Sequence, residues 1–346
     1  MRQLLNYSTL PERILLIKPS SLGDIIHALP TLAAIRRTFP AACISWLVKK
    51  EWAPILYRHP MLDDIIEGEF SATKLFALVA SLRARRFDVV VDLQGLLRTG
   101  VLSLLSGAPV RIGFADAREG SSFFYTQRIC GSMRKMHAVD RYLRLASALG
   151  AKERQPEFVL PDSPDEEGRR QALYTKVGLD GASKLIGIAP AARWVTKRWV
   201  AESFAAVADQ LQHEGRNRVV FIGAANEKSE IARVKQAMKT KAADLTGLTT
   251  LGDLPAVVRR LCLLITNDSG PMHVAAAVGT PVVAVFGPTS QACTGPYGDG
   301  HAVLTSPVEC RPCFRRYCHN SNTNECLRKV SVRDVVLAAQ RMLQLR

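Results

Sequence analysis

Residues 261–287 contain two apolar runs of strand length that enclose a helix-like segment, and the polar residues are crowded into 267–273, NDSGPMH. Apolar runs without alternation are typical of strands buried on both faces of a parallel sheet, and the intervening segment is long enough for a crossover helix. The stretch therefore predicts a βαβ unit. Ligands of such sheets bind at the carboxyl ends of strands, so we expect the chemistry of the chain to be concentrated at NDSGPMH.

The same segment carries the signals of a helix start. Short polar residues are common caps, a glycine lets a ligand approach the backbone, and Pro271 costs little at an early helical position. Free N–H groups at a helix start attract phosphate. These residues are also ordinary helix caps, so the segment alone leaves both interpretations open.

Strand, polar loop and helix alternate along the whole chain, and the pattern begins twice. The first half starts with a strand at 13–18, the loop PSSLG and a helix at 24–38, and the second half starts with a strand at 184–189 and the loop PAARWVTKR. This alternation predicts an α/β protein with two Rossmann-like parallel sheets that face a central cleft. A polar, proline-containing stretch at 151–170 suggests the boundary between them. The predicted domains are 1–160 and 161–330, with a C-terminal helix at 331–346 that packs back across the interface.

Further predicted strands have the apolar or β-branched composition of buried segments. They lie at 43–48, 64–67, 87–92, 110–114, 218–222, 261–266, 282–286 and 302–304. Further predicted helices lie at 73–85, 93–106, 138–149, 199–212 and 332–345.

Charge narrows the class of partner. The chain of 346 residues carries a net charge of +15, and basic residues outnumber acidic ones in both halves. A basic helix with stacking aromatics is absent from the sequence, so we expect no nucleic acid partner, and an anionic substrate or membrane surface fits the charge. No apolar run reaches the roughly 18 to 20 residues of a membrane span, and no signal peptide core is evident, which predicts a cytoplasmic protein.

The loop sequences exclude a dinucleotide-binding motif and a P-loop, and they favour a different kind of nucleotide site. Neither first loop contains G-x-G-x-x-G, and the G-x-x-x-x-G-K-[ST] motif is absent. The second half instead offers Lys197, Gly223 after a strand, and the helix start at Ser269-Gly270, which together suit a nucleotide diphosphate. In the first half, Asp24 follows the loop and is positioned to accept a proton from a hydroxyl group. An Asp at a helix start is also a common cap, and His273 fits either a phosphate contact or a helical core residue.

We expect no catalytic metal, because the sequence lacks a D-x-D pair. One cluster does resemble a ligand set, since thiolates at close spacing share Zn²⁺. It consists of Cys310, Cys313, Cys318 and Cys326, with His319 adjacent. The spacing is not that of a common zinc finger, so free structural thiols are favoured over a structural metal and we expect no cofactor.

Five motifs taken together resemble glycosyltransferase family 9, the heptosyltransferases of lipopolysaccharide core assembly. They cover nearly the whole chain in order: PSSLGDIIHALP, VVDLQGLLRTG, IGFADAREGSSFFY, KRW and NDSGPMHVAAAVGTPVVAVFGPT. The DLQGL and ADAREG stretches look most like the members that place the first heptose on the Kdo sugar of the inner core.

The resemblance implies a GT-B fold, an ADP-heptose donor in the second half, a Kdo-lipid A acceptor in the first, and metal-independent inversion at the anomeric carbon. It implies that Asp24 is the base. The donor-binding residues that it implies are Lys197, Glu227, Asp268, Ser269, Gly270, Pro271, Met272 and His273. The acceptor-binding residues that it implies are Ser20, Ser21, Gly23, Gln94, Arg98 and Arg118. An acceptor with carboxylates and phosphates would draw this basic protein to the cytoplasmic face of the inner membrane.

The loop Ala191-Ala192-Arg193 departs from the family, since close relatives often present hydroxyl side chains there and the loop is about one residue longer. Three other functions compete with the proposed transfer. A two-domain binding protein would need export. A sugar-nucleotide epimerase of similar architecture would release no ADP in the presence of acceptor, and a related family 9 transferase would add a later heptose.

Overall fold

The computed structural model describes residues 10–132, 135–152, 155–161, 164–179, 181, 184–213 and 217–345. The chain divides into two compact units, Met1–Pro161 and Asp162–Arg346. Each unit is built around one six-stranded parallel sheet.

The first unit contains a sheet with the strand order β3-β2-β1-β4-β5-β6. Its strands are β1 (Arg13–Ile17), β2 (Cys43–Lys49), β3 (Asp64–Gly68), β4 (Val89–Asp92), β5 (Val110–Phe114) and β6 (Gln127–Ile129). Its α-helices are α1 (Leu22–Thr38), α2 (Ala72–Ala84), α3 (Leu97–Leu105) and α4 (Ala138–Ala148), with short 3₁₀ turns at Ala53–Ile55 and Ser121–Phe124.

The central strands of this sheet are buried on both faces, as their continuous apolar sequences predict. Ile14, Leu15, Leu16 and Ile17 of β1 are fully buried. A fully buried side chain of this size stabilises the fold by roughly 1.5–3 kcal/mol. Strand β1 lies between β2 and β4 in the middle of the sheet, and helix α1 packs against α4.

The second unit repeats the plan with the order β12-β11-β10-β7-β8-β9. Its strands are β7 (Lys184–Ala189), β8 (Asn217–Phe221), β9 (Ala243–Asp244), β10 (Leu263–Asn267), β11 (Val282–Val285) and β12 (Ala302–Leu304). Its α-helices are α5 (Pro164–Lys176), α6 (Ala201–His213), α7 (Lys228–Ala237), α8 (Leu254–Arg259), α9 (Gly270–Ala277), α10 (Gln291–Thr294), α11 (Glu325–Arg328) and α12 (Val332–Gln344), and 3₁₀ turns lie at Val195–Lys197 and Ala225–Glu227.

The C-terminal helix α12 contributes to the core of the second unit. It contacts α6 and strands β10, β11 and β12, and its Val335 and Ala339 are fully buried. The same core contains Trp199 and Phe204, whose rings meet edge to face with centroids 5.1 Å apart.

Numbered within its own unit, each sheet has the strand order 3-2-1-4-5-6. The order reverses between the first and fourth strands, and Rossmann-type sheets bind ligands beyond the carboxyl ends of the strands at such a point. In the first unit the reversal lies between β1 and β4, and in the second between β7 and β10. We therefore expect a ligand-binding site at the loops that follow these four strands.

Several elements were not predicted from the sequence, among them helices α7 and α8. Strands β6 and β9 were not predicted, because QRI and AD are short edge segments without an apolar run. Part of the polar stretch interpreted as a boundary forms α5, whose Tyr174 is buried and donates a hydrogen bond to the Val257 carbonyl at 2.7 Å. Across the described residues, no helix combines the length and apolar character that crossing a bilayer requires.

Candidate active site

Asp24 lies in the first turn of α1, directly after the loop that follows β1. The Ser21 N–H donates to Asp24 Oδ2 at 3.1 Å, and the Ser21 hydroxyl donates to the same oxygen at 3.0 Å. Asp24 therefore does cap its helix, as the simpler interpretation of the sequence predicts. Its side chain nevertheless remains 43% exposed, so the carboxylate is accessible to a substrate.

The second oxygen of Asp24 belongs to a buried polar network that the sequence did not reveal. Lys18, only 2% exposed, donates from Nζ to the Tyr142 hydroxyl at 2.8 Å and to the Leu93 carbonyl at 3.2 Å. The Tyr142 hydroxyl donates to Asp24 Oδ1 at 3.2 Å, and Lys18 Nζ lies 3.7 Å from the same oxygen. An ammonium and a phenol thus converge on one side of an accessible carboxylate.

This network keeps Asp24 ionised. Burial raises the pKa of Asp24, but the Lys18 ammonium and the Ser21 N–H outweigh it and hold the pKa well below its usual value. Burial lowers the pKa of Lys18, while the carboxylates of Asp24 and Asp92 favour its charged form. Burial and the charge of Asp24 raise the pKa of Tyr142, so the phenol stays protonated and serves as a donor.

Asp92 ends β4 and shapes the loop on the other side of the strand reversal. It is fully buried, and its Oδ1 accepts from the backbone N–H groups of Gln94 at 2.9 Å and Gly95 at 3.1 Å. Its Oδ2 accepts from the Tyr125 hydroxyl at 2.7 Å. Burial raises the pKa of Asp92, and these hydrogen bonds oppose the rise. Asp92 therefore stabilises the turn that presents Gln94.

The remaining predicted acceptor residues occupy neighbouring loops. Arg118 is exposed, its N–H donates to the Gly95 carbonyl at 3.0 Å, and its charge acts on Lys18 and Tyr142. The loops after β4 and β5 are thus joined beside the Lys18 network. Arg98 is exposed at the start of α3, with its guanidinium 5.4 Å from the centre of the Phe70 ring. Ser20, Ser21 and Gly23 flank Asp24 in the first loop.

In the second unit, Lys197 and Asp268 form an ion pair beyond the ends of β7 and β10. Lys197 Nζ lies 2.6 Å from Asp268 Oδ2, and the Thr289 hydroxyl donates to the same oxygen at 2.6 Å. Asp268 is buried, whereas the Lys197 side chain retains 19% of its exposure and lies 4.8 Å from the Trp194 ring centre. Asp268 therefore fixes the position of an ammonium that still has donors to offer.

The start of α9 lies beside this ion pair. Ser269 is the N-cap residue with extended backbone, but its side chain makes no capping hydrogen bond and instead lies 3.1 Å from Thr266 Oγ1. Gly270 and Pro271 occupy the first two helical positions, and Met272 and His273 are buried behind them. His273 Nε2 lies 4.0 Å from Asp268 Oδ1. Because Ser269 does not cap the helix, the first-turn N–H groups keep their attraction for an anion.

Glu227 follows β8, the strand next to β7. Its Oε2 accepts from the Ala224 N–H at 2.8 Å, which holds the start of the 3₁₀ turn. Gly223 approaches this carboxylate closely, since a Cβ at Gly223 would lie 3.2 Å from Glu227 Oε2. The GAANE loop is thereby held in a compact turn after β8.

The loop after β7, which departs from the family at Ala191-Ala192-Arg193, is fixed by side-chain hydrogen bonds to its carbonyl groups. Ala191 and Ala192 are buried, Arg193 is exposed, and Arg198 Nε donates to the Ala192 carbonyl at 2.8 Å. Asn267, at the end of β10, also contacts this loop, since its Nδ2 donates a hydrogen bond to the Pro190 carbonyl at 2.6 Å. This loop therefore has two buried alanine side chains at the positions where the resemblance predicts hydroxyl groups.

The four clustered cysteines carry free thiols, and burial raises the pKa of Cys326. Among the residues that the structure describes, His, Cys, Asp and Glu form no group of three or more placed to hold a metal ion.

Three contributors to these two centres were not predicted from the sequence. Lys18 ends an apolar run, and a lysine at the end of a buried strand is a usable signal. Thr289 closes a motif that was recognised for its glycine and proline. Tyr142 lies 118 residues from Asp24 on a different helix, so no local pattern indicates it.

The chain resembles proteins of one family over most of its length. The family model described as glycosyltransferase family 9 (heptosyltransferase) matches residues 75–324. Lipopolysaccharide heptosyltransferase 1 of Pseudomonas aeruginosa is 30% identical over 330 residues, which cover 90% of this chain and 89% of that protein. Lipopolysaccharide heptosyltransferase 2 of Escherichia coli is 28% identical over 299 residues, which cover 82% and 85%.

A solved structure shows the same architecture. The glycosyl transferase family 9 protein from Veillonella parvula superposes with a TM-score of 0.84 at 27% identity, covering 97% of this chain and 98% of that one. The predicted fold class, α/β with two Rossmann-like parallel-sheet domains of the GT-B type, is confirmed. The chain belongs to glycosyltransferase family 9, the heptosyltransferases.

Proposed function

We propose that this enzyme transfers heptose from ADP-heptose to a Kdo residue of the lipopolysaccharide inner core, with inversion at the anomeric carbon and without a metal ion. Its family makes it a heptosyltransferase of lipopolysaccharide core assembly. The observation that carries the finer proposal is the accessible Asp24 carboxylate that Lys18 and Ser21 keep ionised.

Asp24 is the proposed general base. An Asp with an ordinary pKa near 3.9 is a weak base toward an alcohol, and the network makes it weaker still. Proton removal therefore has to accompany departure of a good leaving group, which ADP is. Ser21 donates a hydrogen bond to one oxygen of the Asp24 carboxylate and Tyr142 to the other. These two hydrogen bonds orient the carboxylate toward the attacking hydroxyl of the acceptor.

The second unit is the proposed donor site. Lys197 and the uncapped start of α9 would stabilise the charge that develops on the ADP diphosphate, since fixed positive dipoles need no reorganisation during the reaction. Asp268 acts by holding Lys197 in place. Glu227 is the proposed contact to the ribose of ADP, and Gly270 allows the phosphates to approach the helix.

The acceptor is the proposed Kdo-lipid A, bound by the first unit. The DLQGL and ADAREG stretches resemble the enzymes that add the first heptose, and the relative with 30% identity is named heptosyltransferase 1. Gln94 and Arg118 lie on the loops that these motifs form, and Arg98 lies in the first turn of α3. Arg is well suited to carboxylates and phosphates. The net charge of +15 favours residence at the anionic cytoplasmic surface of the inner membrane.

Supplying two acceptors tests the proposal. The purified protein is incubated with ADP-heptose and either bare Kdo-lipid A or the same acceptor already carrying one heptose, and both ADP release and product mass are followed. We expect ADP release and a gain of one heptosyl unit with bare Kdo-lipid A. Transfer only to the heptosylated acceptor would identify a later-acting enzyme. Conversion of ADP-heptose without acceptor-dependent ADP release would indicate an epimerase.

A further inference from the structure

A basic pocket lies beside the first loop of the first unit. It has a volume of about 260 Å³ and is lined by Lys49, Lys50, Glu51, Gly68, Phe70 and Arg98. These residues come from the carboxyl ends of β2 and β3 and from the start of α3. The pocket therefore opens at the same edge of the sheet as the candidate base.

Backbone hydrogen bonds connect the pocket to the loop that precedes Asp24. The Lys49 N–H donates to the Pro19 carbonyl at 3.0 Å, and the Lys18 N–H donates to the Leu47 carbonyl at 3.2 Å. The end of β2 is thus paired directly with the PSSLG loop. A molecule whose hydroxyl group reaches Asp24 has the pocket one strand away, since neighbouring strands lie about 4.8 Å apart.

The pocket has an excess of positive charge. Lys49, Lys50 and Arg98 contribute three cations, and Glu51 is the acidic residue in its lining, 3.7 Å from Lys49 Nζ. Glu69 lies close enough to act on Lys50, but it is paired with Lys74 at 2.8 Å. An anionic group entering the pocket would meet cations whose charge the protein leaves only partly balanced.

The geometry of the chain directs these cations to one place. Successive side chains of a strand point to opposite faces, but β2 ends at Lys49 and turns at Lys50, so both lysines line the same pocket. The ring of Phe70 supports the Arg98 guanidinium at 5.4 Å. Gly68 makes room for this ring, because a Cβ there would lie 3.0 Å from Phe70 Cε2. A basic surface that only contacts solvent would require neither the aromatic ring under Arg98 nor the glycine that makes room for the ring.

We propose that this pocket binds an anionic oxygen group of the acceptor, a phosphate or a carboxylate, and thereby places the acceptor hydroxyl at Asp24. This inference rests on the proposed function, in which the first unit receives the acceptor. It adds Lys49, Lys50 and Phe70 to the acceptor-binding residues and gives the contact between the Arg98 guanidinium and the Phe70 ring a role in acceptor binding.

Three variants and a control test it. Lys50→Gln and Arg98→Gln each remove one charge, Phe70→Leu removes the ring without changing the charge, and Arg83→Gln removes an exposed charge at the end of α2 as the matched control. Acceptor KM, kcat and the Kd for ADP are measured for each variant. Direct binding of the acceptor to the same purified protein is measured in parallel, without donor.

We expect both charge variants to raise the acceptor KM and the acceptor Kd about 10- to 100-fold, as loss of a charged hydrogen bond does. Phe70→Leu should raise them roughly two- to five-fold through loss of the cation–π contact. kcat and ADP binding should stay within about three-fold of the control. A larger effect with phosphorylated than with dephosphorylated lipid A would assign the pocket to phosphate, and an equal effect would assign it to a Kdo carboxylate.

Unchanged acceptor KM and Kd in both charge variants would overturn the proposal. If the wild-type protein transfers no heptose, the proposed function fails, whereas the direct binding measurement still decides whether the pocket holds the acceptor. Failure of the pocket and failure of the function are therefore separate results.

Discussion

Replacing Lys18 by Met tests whether the buried ammonium keeps the base ionised. Met fills a similar volume, so the substitution removes the charge 3.7 Å from Asp24 Oδ1 and leaves the Ser21 and Tyr142 hydrogen bonds in place. Two unit charges at this distance interact by about 1 kcal/mol in water and about 4 kcal/mol at an effective dielectric constant of 20. Because the Asp24 side chain is 43% exposed, solvent screens the interaction, and the value of about 1 kcal/mol is the appropriate one.

The sign of the effect follows from the direction of the shift. Lys18 lowers the pKa of Asp24, so its removal raises that pKa, by roughly 0.7 unit for an interaction of about 1 kcal/mol at 1.36 kcal/mol per unit. The acidic limb of kcat/KM should then move to higher pH by roughly 0.7 unit. His27 also lowers the pKa of Asp24, but it is present in both proteins and its contribution cancels in the comparison.

The assay is the rate of ADP release between pH 3 and pH 9 at low substrate concentration, because the pKa of Asp24 lies below its usual value. It compares wild type, Lys18→Met and the exposed control Lys135→Met. Thermal unfolding of each variant verifies that the fold is retained. At the alkaline end the Lys18→Met variant should retain activity, since Asp24 is ionised there in both proteins. Coincident acidic limbs for wild type and Lys18→Met, with folding intact, would refute the assignment of Lys18.

Four further outcomes are expected. Lys197→Met should weaken ADP binding about 10- to 100-fold in a calorimetric titration, and unchanged affinity would remove Lys197 from the donor site. Thr289→Val should weaken it only about two- to ten-fold, because the hydroxyl acts through Asp268; a loss as large as that of Lys197→Met would contradict this order. Tyr125→Phe should destabilise the first unit by about 1–3 kcal/mol in urea, since it removes a donor from a buried carboxylate, and wild-type stability would show that the hydrogen bond contributes little. Leu263→Ala, at a fully buried position of β10, should destabilise the second unit by about 2–5 kcal/mol, and a cost below 1 kcal/mol would indicate that the core closes around the cavity.

Local sequence patterns predicted most of the fold. Strands at 110–114, 184–189 and 302–304 were placed at their observed limits, because each is an apolar segment bounded by polar or glycine-containing turns. The edge strand β6 was missed because it is held by pairing with β5 rather than by burial of its own side chains. Helix α5 was missed because its charged sequence lacks a continuous apolar stripe.

The candidate site divides in the same way. Asp24, Lys197 and Asp268 lie shortly after the ends of strands, so the βαβ pattern and the family motifs both indicate them. The contacts that determine their chemistry are long-range: Tyr142 reaches Asp24 across 118 positions, and Asp268 is 71 positions from the Lys197 that it holds. Such pairings depend on which helices and strands pack together, and a local pattern contains no information on them.

The central claim is that Asp24 removes the proton from the acceptor hydroxyl while the second unit holds the donor. The most direct measurement is the kcat of Asp24→Asn with ADP-heptose and Kdo-lipid A, alongside its Kd for ADP. Asn keeps the size of the side chain and a hydrogen-bond acceptor for the Ser21 cap, but it lacks the negative charge and cannot take the proton. We predict that kcat falls by about 10²- to 10⁴-fold, as expected for loss of a general base, while ADP binding stays within a few-fold of wild type. Turnover near the wild-type rate would contradict the account.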